Sequence, residues 1–345
     1  MGKINIKFIV FIAFAVLLLV LAQNSLDDYS IRILNNIAIF IILAASYNLI
    51  NGVTGQFSLE PNGFVAIGAY VTALALLSED MKWELFQLED PSPMILALNL
   101  GLVPALLLAG VVSALVALTL AFPVFRVRGD YLAIVTLGFG FIIKVFAINS
   151  PQYTNGAIGL NEIPSVSNLY WTGGIAIATV VFMLNIVYSK YGRAMKAVRD
   201  DEDAAAAIGI NTMKIKTYAF TTSAFFEGIG GGLLAILLTT ISPDLFQFFL
   251  TFQLLIIIVL GGLGSMTGAI LGTILVIGGT EWLRFLDGHM NIFGYDLGAH
   301  PGLRMVVFSI ILIVVMLFAR EGIFGKKELS DFAWFKKLFG KKDMR

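Results

Sequence analysis

The densest cluster of ionisable side chains in the 345-residue chain lies in one segment, Ser189–Lys214, between two long apolar stretches. Four consecutive acids, Asp200–Asp203, precede four alanines, Ile208 and Gly209. Acidic side chains stabilise a helix N-terminus, alanine is the strongest helix former, and glycine commonly follows a helix C-terminus. The spacing therefore predicts a short helix of about two turns that ends at Gly209.

Two interpretations fit this short helix. Its small side chains and charged flanks would suit insertion into a groove on a soluble partner protein. It could equally be a solvated helix at the membrane surface, with its long charged side chains reaching water. In the preceding stretch, Gly192–Arg199, the apolar residues Met195 and Val198 are three positions apart and share a helix face.

Few ionisable residues fall inside the apolar stretches. Such residues are functional candidates because a charge in lipid is costly. Lys144 lies near the end of its stretch and is interpreted as structural, whereas Glu227 is predicted to face another helix or a cavity. Glu281 and Arg284 are the other members of this group.

Several kinds of chemistry are excluded by composition and motif. The chain has no cysteine, and its two histidines, His289 and His300, are too few for a metal site. It lacks a Gly-x-x-x-x-Gly-Lys-Ser/Thr loop for nucleotide phosphate and any nucleophile–His–Asp set. A net charge of zero gives no attraction to nucleic acid. We expect neither an enzyme nor a bound cofactor, nor a nucleic-acid partner.

The composition predicts an all-α polytopic membrane protein. Hydrophobic residues make up 58% of the chain, against about 45–50% in soluble domains. Apolar runs recur at lengths near the roughly 20 residues that span a bilayer as a helix. We predict about ten transmembrane helices, the first of them uncleaved: Phe8–Ala22, Ile31–Ile50, Phe64–Leu77, Met94–Ala121, Tyr131–Ile148, Trp171–Tyr188, Tyr218–Leu238, Phe246–Leu260, Met266–Leu283 and Leu303–Ala319.

The basic residues predict the orientation in the membrane. With ten spans, the lysines and arginines before the first span, those between the fourth and fifth, those of Ser189–Lys214 and those after the tenth all fall on one side. The acidic loop Ser78–Pro93 falls on the other side. Because basic loops face the cytoplasm, both termini and the charged segment are predicted to be cytoplasmic.

Two glycine-dense stretches, Asn51–Gly68 and Gly261–Gly279, occupy matching places in the two halves of the chain. Each begins with a polar, glycine-rich break and runs into an apolar helix. Such paired breaks favour a transport path at the interface of two internal halves. Close helix packing in lipid is the alternative. The tentative path residues are Gln56, Ser58, Glu60 and Glu227.

The charged segment also resembles a known signature. Asp203-Ala204-Ala205-Ala206-Ala207-Ile208-Gly209 is similar to the Glu-Ala-Ala-x-x-x-Gly motif of ABC importer permeases, with aspartate in first place. Blocks such as GQFSLEPNGFVAIGAY, RVRGDYLAIVTLGF and VLGGLGSMTGAILG resemble the high-affinity branched-chain amino acid permeases of that superfamily. One departure is Glu60-Pro61, where that family usually has Gly-His.

The resemblance implies a type II importer-like permease. Residues 1–30 would form an N-terminal membrane helix and outer loop, 31–325 the permease domain, and 326–345 a basic cytoplasmic tail. The implied partners in the bacterial inner membrane are a second homologous permease, two cytoplasmic ATPase subunits that bind the ATP, and an extracytoplasmic solute-binding protein. Residues 190–214 would be the coupling segment that docks on the ATPase, through Arg193, Arg199, Asp203, Ala204, Ala205 and Gly209.

The implied function is import of leucine, isoleucine and valine. One alternative is an ABC permease for another small solute, such as another amino acid, an amide or a urea-like compound. A stand-alone secondary carrier is the other alternative, and it would need ion-coupling carboxylates inside its spans.

Overall fold

The structure is a computed structural model that describes residues 6–127, 129–166, 168–292, 295–299, 302–319, 321–325 and 328. Regular structure in this part is mainly helical. In chain order the helices are α1 (Ile6–Ser25), α2 (Asp28–Asn48), α3 (Pro61–Leu76), α4 (Glu79–Leu85), α5 (Pro93–Leu96), α6 (Leu102–Val124), α7 (Asp130–Asn149), α8 (Pro151–Thr154), α9 (Leu169–Tyr188), α10 (Lys190–Asp200), α11 (Glu202–Ala207), α12 (Thr212–Leu238), α13 (Phe248–Gly261), α14 (Met266–Thr273), α15 (Gly279–Trp282) and α16 (Leu303–Phe318).

Shorter elements connect these helices. A π-helical turn, Leu49–Val53, continues α2, and a second, Ile274–Gly278, joins α14 to α15. Two 3₁₀ turns follow α12 and α15, at Pro243–Phe246 and Leu283–Asp287. The all-α class is confirmed, and the described residues add one short antiparallel hairpin, β1 (His289–Ile292) with β2 (Tyr295–Ala299). Strands of four and five residues are too short to show a clear alternating pattern.

The protein is a multi-pass membrane protein. Six helical stretches of the described chain are long and apolar enough to cross a bilayer, and α3 with α4 makes a seventh if this pair, bent by 119°, is counted as one. Shorter apolar helices occur at Val16–Ser25, Phe248–Gly261 and Leu303–Val315. The ten-span count and the two-half organisation stay predictions.

One predicted span is interrupted. The stretch Met94–Ala121 contains two helices, α5 and α6, and the chain between them is irregular. Asn99 and Gly101 lie in this gap, and both residue types are weak helix formers. The long second helix therefore begins at Leu102, eight residues later than expected.

Helix α12 lies at the centre of the bundle, packed against α6, α3 and α2. Its glycines allow this close approach: a Cβ at Gly231 would overlap the Val65 carbonyl, and one at Gly68 would overlap the Gly228 backbone. Because lipid provides no hydrophobic force between helices, small residues that bring backbones together dominate such packing. Close helix packing therefore accounts for Gly68, Gly228 and Gly231.

The two glycine-rich breaks touch each other. We call residues 49–60 the first break and residues 262–265 the second break. The Asn48 side chain donates to the Ser265 carbonyl at 3.0 Å and accepts from the Gly264 N–H at 2.9 Å. A Cβ at Gly52 would overlap the Gly264 backbone. Arg199 of the charged segment also approaches the Gly52 carbonyl. Both breaks therefore lie at the end of the bundle that carries the expected coupling segment, and we call it the coupling end.

The opposite end is marked by a contact of α2 with the chain just beyond α14. The Tyr29 hydroxyl donates to Glu281 at 3.1 Å and accepts from Arg284 at 3.0 Å. Helix α2 thus runs antiparallel to residues 266–284, from Tyr29 at one end to Asn48 at the other. At 1.5 Å per residue this separation is about 28 Å, close to the thickness of a hydrocarbon core.

Lys144 is held by a partner on another element. Its ammonium donates to the Asp244 carboxylate at 2.8 Å and ties α7 to the turn before α13. This hydrogen bond holds the pKa of Asp244 below its usual value. The pair supports the structural interpretation of Lys144.

Candidate coupling site and translocation path

The charged segment forms two helices, α10 and the short α11. Ser189 caps α10 by accepting from the N–H groups of Tyr191 and Gly192 at 3.1 and 3.4 Å. Helix α10 runs to Asp200 and buries Met195 and Val198 on one face, as their spacing predicted. Asp201 is extended, and it separates α10 from α11.

The four acids therefore do not act as one group. Asp201 is the N-cap of α11, and its carboxylate accepts from the Ala204 N–H at 2.9 Å. Glu202 and Asp203 occupy the first turn. A short acidic side chain competes with the helix for backbone donors, which is why one of the four interrupts the helix.

The predicted end of the short helix is confirmed. Gly209 has a φ of +89°. Its N–H donates to the Ala206 carbonyl at 3.0 Å, and the Ile210 N–H donates to the Ala205 carbonyl at 3.1 Å. This pair of bonds is the Schellman pattern, which glycine favours because it has no Cβ.

The predicted position of Ala205 on the docking face is wrong. It was expected on the face that docks on the ATPase, but it is buried inside the chain, with 3% of its surface exposed. Ala204 and Ala207 lie on the exposed side, and Ile208 projects beyond them with 77% exposed. A partner protein would therefore meet Ile208 and the small alanines around it. The sequence pattern did not predict a role for Ile208, because an apolar residue beside a glycine turn is typical of a protein core.

Lys216 is another residue that sequence analysis missed. Its ammonium donates to the Glu202 carboxylate at 2.6 Å, with 3% of the lysine side chain exposed. This bond ties the first turn of α11 to α12. The residues are fourteen apart in sequence and on different helices, so helical periodicity did not predict the pair.

The two predicted arginines lie in different environments. Arg193 is exposed and donates to the Tyr188 carbonyl at 3.3 Å. Arg199 binds Asp200 at 2.9 Å, with 21% of its side chain exposed, and approaches the Gly52 carbonyl. Arg193 is thus open to a partner protein, whereas most of Arg199 is covered by the chain itself.

Glu328 also belongs to the coupling end. Its carboxylate accepts from the N–H groups of Met266 and Thr267 at 2.6 and 3.0 Å, and from the Thr267 hydroxyl at 2.7 Å. It therefore caps the N-terminus of α14, where a negative charge suits the helix dipole. The expected tail 326–345 otherwise lies outside the described residues.

Polar groups organise the first break. The Ser58 N–H donates to Asn51 at 2.7 Å, and the Ser58 carbonyl accepts from the Tyr47 hydroxyl at 2.7 Å. Ser58 is buried, while Gln56 is half-buried and its amide donates to the Thr54 carbonyl at 3.4 Å. The backbone at this non-helical point is thus supported by protein groups, as membrane depth requires.

Two buried acids lie near each other beside this break. Glu60, at the start of α3, and Glu227, in α12, are both fully buried and lie within electrostatic range of each other and of Tyr47. The Ser223 hydroxyl donates to Glu227 at 2.9 Å. Within the described part of the chain, neither oxygen of Glu60 has a hydrogen-bond partner. We call Glu60 and Glu227 the carboxyl pair.

The chemistry open to the carboxyl pair is limited. Two neighbouring carboxylates in an apolar interior repel each other when both are ionised, so such a pair is suited to proton exchange. No group of three or more His, Cys, Asp or Glu suited to a metal ion occurs among the described residues. The structure thus brings Ser58, Glu60 and Glu227 together around Tyr47 and leaves Gln56 at the edge. Their place on a translocation path stays a prediction.

Comparison with known proteins decides the family. Residues 29–316 match the protein family described as branched-chain amino acid transport system / permease component. The chain belongs to this family. The match begins at Tyr29, in the first turn of α2, and includes both breaks, the coupling segment and the carboxyl pair.

Individual relatives agree with the family match. The LivM permease protein of the high-affinity branched-chain amino acid transport system of Salmonella typhimurium is 34% identical over 289 residues, covering 74% of this chain and 64% of the relative. The Escherichia coli LivM is 34% identical over 280 residues, covering 71% and 61%. The chain thus spans less than two thirds of the length of these relatives. The Salmonella typhimurium LivH is 25% identical over 315 residues, covering 84% and 92%. No solved structure matches the chain.

Proposed function

We propose that this chain is the transmembrane permease subunit of a bacterial ABC importer for branched-chain amino acids. The observation that carries the proposal is the form of the coupling segment. Two capped helices, α10 and α11, are tied to the bundle and present an exposed apolar residue, Ile208, at their end. An apolar tip of this size on a small, rigid helix is suited to a groove on a soluble protein.

The proposed assembly contains four kinds of subunit. This permease pairs with a second, homologous permease, and two cytoplasmic ATPase subunits bind and hydrolyse the ATP. An extracytoplasmic binding protein delivers the solute. Relatives named as LivM and LivH permease proteins of one kind of transport system support a pair of unlike permeases. The protein itself then performs no bond chemistry.

The proposed orientation places the coupling end in the cytoplasm of a bacterial inner membrane, together with both termini. The contact between the two breaks at one end, and the Tyr29–Glu281 contact at the other, support the arrangement that the basic residues predict. Ten spans remain the count that brings all the basic segments to one side.

The test is transport by the reconstituted complex. The chain is purified with its partner permease, ATPase subunits and binding protein, and the complex is placed in proteoliposomes. ATP is supplied on the side of the membrane that carries the ATPase subunits. We expect radiolabelled leucine, isoleucine and valine to accumulate only when ATP is hydrolysed. Accumulation of labelled urea or an amide in place of these amino acids would assign the permease to another small solute.

A secondary carrier is the second candidate, and the carboxyl pair is the observation that favours it. A proton-coupled carrier needs ionisable groups inside its spans, and Glu60 and Glu227 are buried there. The same vesicles separate the two candidates. An importer works without a proton gradient and tolerates a protonophore, whereas a carrier works without ATPase subunits and is stopped by the protonophore and by Glu60→Gln.

A further inference from the structure

Arg199 lies where the coupling segment meets both breaks. A Cβ at Gly55 would overlap the Cγ of Arg199 and would lie 3.1 Å from its Cα. Gly55 has a φ of +71°, in the region that favours glycine. The stem of Arg199 is therefore packed directly on the backbone of the first break.

The guanidinium of Arg199 reaches further, to the second break. Its Nη1 lies 3.5 Å from the Gly52 carbonyl and 3.3 Å from the position that a Cβ on Gly264 would take. Its Nε and Nη2 both donate to Asp200, at 3.0 and 2.9 Å. A planar group with several fixed donors can hold such divergent contacts at once, which a lysine ammonium does less well.

The breaks interrupt the regular α-helices at the coupling end. The first contains a π-helical turn and an irregular segment, and the second contains two glycines with positive φ, Gly262 and Gly264. Hinges in moving proteins are a few positions at the ends of elements that absorb changes in φ and ψ. One side chain at the end of α10 thus touches both positions where the surrounding helices can change direction.

We propose that Arg199 is the positioning residue that transmits movement of α10 and α11 to both breaks together. On this account it acts inside the permease, and the expected pairing with an acid of the ATPase falls to the exposed Arg193. Displacement of the coupling segment moves the junction of α2 with α3 and the junction of α13 with α14 as one unit. The inference rests on the proposed function, since it explains how that function is coupled to ATP hydrolysis.

The main test uses Arg199→Met in the complete complex. Methionine keeps an unbranched stem that can pack on Gly55 and removes the guanidinium. Arg126→Met is the control, because Arg126 is an exposed arginine outside the coupling segment whose guanidinium lies over the Phe122 ring. We expect the solute imported per ATP hydrolysed to fall by about 2- to 30-fold in Arg199→Met, the range seen along coupling networks. Arg199→Lys should lie between Arg199→Met and the wild type, and Arg126→Met should match the wild type.

Two outcomes of the transport test overturn the inference. One is an unchanged ratio of solute to ATP in Arg199→Met. The other is loss of the ATPase subunits when the Arg199→Met permease is purified, since that result makes Arg199 part of the partner contact.

A second measurement separates this inference from the proposed function. Hydrogen exchange is measured on the permease alone, in detergent, at residues 52–55 and 262–265. We expect faster exchange at both breaks in Arg199→Met and no change in Arg126→Met. Faster exchange at one break only, or at neither, overturns the inference. Wild-type vesicles that fail to import any branched-chain amino acid count against the proposed function and leave the exchange result intact.

Discussion

At the scale of single residues, Ile208 and Gly209 are the positions through which the coupling segment is proposed to contact the ATPase. Ile208 exposes an apolar side chain at the tip, and Gly209 makes the turn that holds it there. Burying an isoleucine stabilises a contact by about 1.5–3 kcal/mol, whereas an exposed ion pair contributes about 0–1 kcal/mol. Packing at Ile208 should therefore matter more to ATPase docking than the charge of Arg193.

Replacing Ile208 tests this ranking. We expect Ile208→Asp to abolish solute-stimulated ATP hydrolysis by the reconstituted complex, because the new carboxylate would be desolvated in the docked state. Ile208→Leu keeps the volume and should keep most of the stimulation. The assay compares ATP hydrolysis with and without loaded binding protein. Full stimulation in Ile208→Asp would show that the partner does not contact this tip.

Gly209 tests the turn itself. A β-branched residue in its left-handed conformation is strained by roughly 1–2 kcal/mol, so Gly209→Val should lower stimulated ATP hydrolysis while the permease still inserts in the membrane. Gly209→Asn is the control, because asparagine tolerates positive φ better than other residues with a Cβ. Equal activity in the two variants would mean that the turn geometry does not affect coupling.

At the scale of elements, the contact between the two breaks is the feature that organises the coupling end. Asn48, at the end of α2, satisfies groups just before α14, and Gly52 lies against the Gly264 backbone. Glu328 caps the same helix from beyond α16. The end of α2, the start of α14 and Glu328 are therefore held together by backbone contacts and hydrogen bonds, with little room for larger side chains.

A single methyl group tests how close this approach must be. Gly52→Ala places a Cβ against the Asn48 side chain and the Gly264 backbone, so the breaks must separate. Overpacking of this kind costs about 1–3 kcal/mol, and we expect a matching loss in the free energy of unfolding together with slower transport. Gly174→Ala, in α9, is the control because nothing lies within 4 Å of its added Cβ. A Gly52→Ala protein as stable as Gly174→Ala would contradict the contact.

At the scale of the whole molecule, the bundle has two distinct ends. The coupling end holds α10, α11, both breaks and Glu328. The opposite end holds Tyr29, Glu281 and Arg284, with Asp287 joined to Arg304 at 3.0 Å. A permease that couples ATP hydrolysis on one side to solute entry on the other needs this separation.

Cysteine labelling tests the orientation of these ends, and the natural chain has no cysteine to interfere. In intact cells, Met94→Cys should react with a membrane-impermeant maleimide, because Met94 is 74% exposed in the acidic region between α4 and α6. Ala206→Cys, on the exposed side of α11, should react only after the membrane is permeabilised. Labelling of Ala206→Cys from outside would reverse the proposed topology and refute the ten-span count.

Local features were predictable from the sequence because each depends on residues a few positions apart. The apolar runs predicted helices able to span the membrane. The alanines followed by Gly209 predicted a short helix and its end, and Met195 and Val198 predicted the buried face of α10. The motif Asp203–Gly209 together with the longer matching blocks indicated the family, since a motif and its spacing can be compared without knowledge of the fold.

What only the tertiary structure decided depends on which distant segments become neighbours. Asn48 and Ser265 are 217 residues apart in sequence, and Arg199 and Gly52 are 147 apart. The burial of Ala205, the meeting of Glu60 with Glu227 and the place of Arg199 on both breaks all follow from how α2, α3, α12 and α14 pack. Periodicity shows that a helix has a face to bury, but the partner of that face is chosen by shape and small-residue contacts across the bundle. For this reason the sequence alone determined the kind of protein and pointed to Ser189–Lys214 as the proposed coupling segment, whereas the three-dimensional packing decided which residues of that segment are exposed and which are buried against the chain itself.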